Sequence, residues 1–161
     1  MKPQAPAVGR VTSLHLHPAE PGTVLASVLE VEAVADQGLR GDVRYFGRLS
    51  GETGLPTKRQ VSLIEREQVA AHAAALGLTG IAPGAVRSNI ETSGVDLVPL
   101  VGREIEVGEA VLFLNAPRDP CAKMDALCQG LRQLMMEHRQ GVLASVVRSG
   151  RIRVGDPIAV R

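Results

Sequence analysis

"GRVTSLHLH", Gly9 to His17, sets Val11, Ser13, His15 and His17 against Thr12, Leu14 and Leu16 in strict alternation. Residues two apart share a face only in an extended chain, so this stretch predicts a β-strand with one covered face. Runs of the same kind follow along the chain: "TVLASVLEVEAV", "RQVSLIE", "AVRSNIET", "REIEV", "EAVLFLNA", "GVLASVVRSG", "RIRV" and "DPIAVR", many of them bounded by glycine or proline. So many short strands separated by turns predict a sheet that closes or nearly closes on itself. The expected fold is therefore α+β but mainly β, a barrel with a few peripheral helices. One segment, "EREQVAAHAAALG", breaks the pattern: Val69, Ala73 and Leu76 recur at helical spacing and Gly77 stands at the stop position. A second helical stretch is expected over residues 120–138, broken at Gly130. "IEVGEAVLF" from Ile105 and "IRVGDPIAV" from Ile152 echo one another, and each reads as strand, tight Gly-acidic turn, strand.

Composition bounds what the chain does. Its 161 residues, 45% hydrophobic, suit a single domain over 1–161 with a substantial core. Aromatic residues are 2% of the chain, so Val, Leu, Ile and Ala must build that core, and few rings exist to stack nucleic-acid bases. A net charge of +1 gives no broad attraction to phosphate backbones or anionic lipid, so any anion site must be local. No apolar run approaches the length of a membrane span, and "MKPQAPAVGRV" lacks the apolar stretch of a secretory signal. The expected partners thus include neither nucleic acid nor membrane, and the expected compartment is the cytoplasm. Two cysteines, Cys121 and Cys128, make no disulfide framework, and a reducing compartment keeps both as thiols.

Candidate chemistry gathers in "NAPRDPCAKMDALCQG", Asn115 to Gly130. With Asp119 as cap and Pro120 as first helical residue, the Cys121 sulfur would lie over a first helical turn, flanked by Arg118 and Lys123. Such surroundings favour a thiolate, the form that ligates soft metals or carries a sulfane sulfur. Cys128, seven residues on, would lie about 10 Å away along one continuous helix, and reads as packing or an incidental thiol. The stretch "AVRSNIE" places Arg87 and Asn89 on one face of a strand, where a guanidinium fork beside an amide suits a phosphate or a pterin edge. Arg59 opens a strand after the long glycine-rich and basic segment 36–60, itself expected to be functional. His15 and His17 share a strand face, but without a spaced carboxylate they read as surface histidines rather than a zinc site. No nucleotide-binding loop or serine nucleophile elbow is present.

Five stretches in order, "GLRGDVRYFGR" at Gly38, "RQVSLIE" at Arg59, "PGAVRSNIETSGVDL" at Pro83, "VGREIEVGEAVLFLNAPRDPC" at Val101 and "RVGDPIAV" at Arg153, resemble MOSC domains, relatives of the C-terminal domain of molybdenum cofactor sulfurase. The resemblance implies a pyruvate-kinase-barrel-like domain that handles sulfur or the molybdenum cofactor (molybdopterin) through one cysteine. Cys121 matches that cysteine and would be both catalytic residue and molybdenum ligand, with Arg59, Arg87, Asn89 and Arg118 binding the cofactor. Two functions follow from it: a molybdenum-dependent reductase of N-hydroxylated compounds served by an electron-donor protein, or a persulfide carrier loaded by a separate pyridoxal-phosphate-dependent sulfurase. Many relatives carry a histidine after the Gly-Asp, where this chain has Val43, Arg44 and Tyr45, and Asp42 is expected to do no more than hold the loop turn.

Overall fold

The computed structural model describes residues 6–161. Seven strands close into a mixed barrel: β1 (Gly9–Leu16), β11 (Pro157–Val160), β7 (Glu104–Val107), β8 (Ala110–Pro117), β9 (Val142–Arg148), β5 (Val61–Glu65) and β6 (Ile90–Ser93), which pairs with β1 again. All of these neighbours are antiparallel except β5 and β6, which are parallel. A parallel pair needs a crossover connection, and helix α1 (Arg66–Ala75) supplies it, ending in Gly77 at φ 70° as the sequence predicts. The barrel is filled by aliphatic side chains alone, among them Val11, Leu14, Leu63, Ile90, Ile105, Leu112 and Val146, as the scarcity of aromatics requires.

β1 departs from strict alternation. Its register against β6 shifts between Val11 and Ser13, a bulge that lets Val11 and Leu14, three residues apart, both enter the core. "TVLASVLEVEAV" is two strands: β2 (Ala26–Val28) extends β1, while β3 (Glu30–Val34) joins β4 (Gly38–Leu39) and β10 (Gly150–Arg153) in a separate three-stranded sheet. Both Gly-acidic turns join two strands, but only the first pair forms a hairpin. Ile105–Phe113 is a β7–β8 hairpin, but β10 and β11 lie in different sheets. At that second turn the Gly155 N–H donates to the Val11 carbonyl and the Val11 N–H to the Asp156 carbonyl, which diverts the chain from the small sheet into the barrel.

Outside the barrel a second apolar cluster joins α1 to the expected second helical stretch through Ile64, Val69, Ala73, Val86, Met124, Leu131 and Met135. That stretch is two short helices, α2 (Ala122–Leu127) and α3 (Leu131–Leu134), separated at Gly130 with φ 89°. None of the helices described is long and apolar enough to cross a membrane.

Candidate functional site

A cavity of about 130 Å³ is lined by His17, Arg44, Tyr45, Arg59, Arg87, Arg118, Cys121, Lys123 and Met124. Its wall comes from the end of β1, the segment 36–60, the loops leading into β5 and β6, and the chain past β8. The lining includes five cationic side chains and no carboxylate. Arg59, Arg87, Arg118 and Cys121, singled out separately along the sequence, thus meet in one cavity.

Arg118 is the most deeply buried of the cavity's arginine and lysine side chains, 7% exposed. Its Nη1 donates to Ser88 Oγ at 3.1 Å and, at longer range, to the carbonyls of Arg87 (3.4 Å) and Val86 (3.5 Å), and among the described residues it forms no ion pair. Burial, reinforced by the charge of Arg59, pushes its pKa down to about 10. Arg87 stands in the left-handed region at φ 68°, where a residue with a Cβ is held only by its surroundings. Its N–H bonds to the Gly84 carbonyl, and its own carbonyl accepts from His17 Nε2 at 3.1 Å as well as from Arg118. Its Nη1 donates to the Thr23 carbonyl at 2.8 Å, while its Nη2 is buried with no partner. Burial and the charge of Arg44 lower its pKa. Tyr45 is the platform of the site: Arg59 lies 4.8 Å and Arg44 5.6 Å from its ring centroid, and His17 meets it edge-on at 4.9 Å.

Behind this wall lies a buried polar network. Asp42, fully buried, accepts from the His17 N–H (3.0 Å), His17 Nδ1 (2.8 Å) and Asn89 Nδ2 (2.8 Å) through Oδ2, and from the Tyr45 N–H (2.9 Å) through Oδ1. Burial alone would raise the pKa of this carboxyl, but the hydrogen bonds from His17 and Asn89 outweigh it and hold it below the ordinary value. Asp42 therefore does more than shape a turn: it ties segment 36–60 to β1 and to the start of β6. Asn89, 1% exposed, bonds Asp42, the His15 carbonyl and the Ser62 N–H, and so lies behind the cavity rather than on its wall. Arg87 and Asn89 do not share a strand face, because the chain turns at 83–86 and β6 begins only at Ile90.

The histidines read as surface residues are buried instead, His15 at 1% and His17 at 3% exposure. His15 bonds Ser27 Oγ and Ser13 Oγ, and burial lowers its pKa. Period-two alternation marks which side chains share a face but cannot say what covers it, and here β2, Gly84 and segment 36–60 do. His17, Arg44 and Tyr45 are the site residues that sequence reasoning missed. The signal available was the stretch "GDVRYFGR" itself, which carries Asp42, Arg44 and Tyr45 within four residues of one another.

Cys121 is exposed at the mouth of the cavity, as the residue preceding α2. Asp119 does not cap this helix and Pro120 is not in it: the helical hydrogen bonds begin with the Cys121 carbonyl, which accepts the Met124 N–H. Six residues make too short a helix for a strong end field, so the charge around Cys121 comes from side chains. Cys128 ends α2 and packs against the outer apolar cluster. Among the described residues no three His, Cys, Asp or Glu side chains group to hold a metal ion.

Two further cavities flank the first. One, of about 440 Å³, shares Arg87 and Lys123 with it and is walled by Val24, Leu25, Ala82, Pro83, Ala126 and Leu127. The other, of about 390 Å³, shares Tyr45 and Arg59.

A closed mixed barrel with one exposed thiol beside a cluster of cationic side chains defines the class: a small, mainly β barrel domain. The chain belongs to the MOSC domain family, whose model matches residues 16–159. In the crystal structure of YuaD protein from Bacillus subtilis the same fold recurs with a TM-score of 0.77 at 22% identity, covering 98% of both chains. YiiM from Geobacillus stearothermophilus (TM-score 0.69, 18% identity, 95% of this chain and 75% of that one) and YiiM from Escherichia coli (0.66, 22%, 94% and 69%) are similar in fold as well. No curated protein matches the chain.

Proposed function

We propose that the cavity binds the anionic, metal-bearing end of the molybdenum cofactor and that the protein works as a molybdenum-dependent reductase of N-hydroxylated compounds. The observation that carries this reading is the uncompensated positive charge: a buried Arg118 without an ion pair and an unpartnered Arg87 Nη2 beside an exposed thiol. Cations held this way are stabilised by an anion from outside the chain, and a thiolate prefers a soft metal. The donor set fits the group. Arg59, Arg87, Arg118 and Lys123 would hold its phosphate and oxo groups, Cys121 would ligate molybdenum, and the adjoining cavity of about 440 Å³ offers room for the organic part. When bound, the metal supplies the two-electron chemistry. The chain's own residues bind and orient: His17 and Asp42 keep the Arg87 backbone in place, Tyr45 aligns Arg59, and Asn89 anchors the start of β6. An electron-donor protein would supply the electrons, and the setting would be the cytoplasm.

A second reading rests on the exposure of Cys121. A thiol reachable by another protein suits a persulfide carrier charged by a separate pyridoxal-phosphate-dependent sulfurase. Elemental analysis of protein purified from a host that makes the cofactor separates the two. Stoichiometric molybdenum supports the first, and cyanide-releasable sulfur without metal the second. Cys121→Ser should lose whichever is present and Cys128→Ser should keep it. Protein carrying neither refutes both.

A further inference from the structure

The opposite ends of β5 and β6 carry a separate cavity. Arg59 and Arg87 precede these strands, whereas Glu65 ends β5 and Gly94, Val95 and Asp96 follow β6; together with α1 and α3 these line a space of about 630 Å³. Parallel strands joined by a helix leave such a crevice beyond their C-terminal ends, a common place for ligands. The walls are apolar at Ala71, Ala75, Val95 and Leu134.

The polar groups in it share an unusual feature. Glu65 is the residue preceding α1 and Gln68 is its third residue, positions whose side chains ordinarily cap the helix, yet neither makes a capping bond. Instead Glu65 Oε1 and Gln68 Oε1 are both buried without a hydrogen-bond partner. Glu65 is 7% exposed. Two unpartnered acceptors three residues apart on one helix face call for a donor from outside the chain. The remaining carboxylates favour a positive one: Glu67, whose Oε2 already accepts the Gly94 N–H, and the exposed Asp96. Arg139 lines the cavity too, with its Nε engaged by the Met136 carbonyl, and His72 Nε2 is engaged by the Arg139 carbonyl.

We propose that this cavity is a binding site for a primary alkylammonium compound, its –NH₃⁺ group donating to Glu65 Oε1 and Gln68 Oε1 and its apolar body lying along Ala71, Ala75, Val95 and Leu134. An ammonium has three donors and no acceptor, which matches the two buried acceptor atoms left without a partner. Three or more carboxylates do not converge there as a metal cage among the described residues, so an organic cation is the fitting class. This site stands independently of the cysteine cavity and of what that cavity binds.

Titration with n-hexylammonium, followed by amide chemical shifts over residues 66–71 and 94–97, tests it. Saturable binding on the order of millimolar is expected, with hexanol and hexanoate at least about tenfold weaker, because one lacks the charge and the other reverses it. Glu65→Gln keeps the shape and removes a buried charge whose pKa burial already raises, so the variant should fold, and it should weaken hexylammonium binding about tenfold or more. Gln68→Met removes the second acceptor at similar volume and should weaken it about threefold or more. No saturable shift, equal binding of hexanol, or wild-type affinity in both variants overturns the proposal.

Discussion

Replacing Arg118 by methionine should make the ligand-free protein more stable and a poorer anion binder. The guanidinium is buried, lacks an ion pair and has its pKa pushed down to about 10, chiefly by burial. The fold therefore holds its proton more weakly than the unfolded chain does, and the cost is fully present at every pH below that value and relieved only above it. A fall of roughly 2.5 pH units at about 1.4 kcal/mol each corresponds to about 3 kcal/mol at neutral pH. Methionine fills the space of the arginine stem without the charge but leaves Ser88 Oγ without its donor and takes one of two donors from each of the Arg87 and Val86 carbonyls, which returns about 1 kcal/mol. The net gain is about 2 kcal/mol, or a rise of about 4–8 °C in Tm for a chain of this size. Losing a charged donor should at the same time weaken inorganic phosphate binding roughly 10- to 100-fold. Calorimetry in a buffer free of phosphate and sulfate, followed by phosphate titration, measures both. A variant less stable than its parent, binding phosphate with unchanged affinity, would refute the view that Arg118 is a strained cation awaiting an anion.

Asp42→Ala should be far more damaging, about 3–5 kcal/mol in urea unfolding, because it strands the His17 imidazole, the Asn89 amide and two backbone N–H groups in a dry interior. Since the folded pKa of Asp42 lies below its ordinary value, its contribution is complete above about pH 5 and lost as the pH falls through the lowered value. The acid limb of wild-type stability should therefore be steeper than that of Asp42→Asn, and equal limbs would count against this assignment. Gly84→Ala should destabilise by about 2 kcal/mol or more and shift the His15 ring resonances: Gly84 has φ +82°, and an added Cβ would stand 2.6 Å from His15 Nδ1. An unchanged melting curve would show that the 82–87 turn adapts and does not hold Arg87 rigidly.

Much of the fold is written locally. Two-residue periodicity in "RQVSLIE", "REIEV" and "EAVLFLNA" reproduces β5, β7 and β8 almost to the residue, and the spacing of Val69, Ala73 and Leu76 with Gly77 behind them reproduces α1. Such features depend on neighbours three or four residues away, and those are visible in any sequence. Errors arise where a distant segment overrides local preference. "AVRSNIET" has strand propensity throughout, but Glu91 accepts the Gly84 N–H and pairs with Arg66, and this bends 84–87 into a turn with Arg87 left-handed. "IRVGDPIAV" matches its echo in pattern, yet contacts with β1 send its two strands to different sheets.

For the site, the chemical types are legible along the chain: one cysteine amid basic residues, arginines at the starts of strands, and too few aromatics for a nucleic-acid surface. Local pattern does not show that His17 and Asp42, twenty-five residues apart, share a hydrogen bond, or that Arg118 is buried and Cys121 exposed. Residue type is a property of one position, whereas burial and partnership belong to pairs of positions brought together by barrel closure. Closure of the barrel is therefore what makes Arg59, Arg87 and Arg118, each of which would be a solvated charge on its own, converge on one thiol with no carboxylate on the wall to neutralise them.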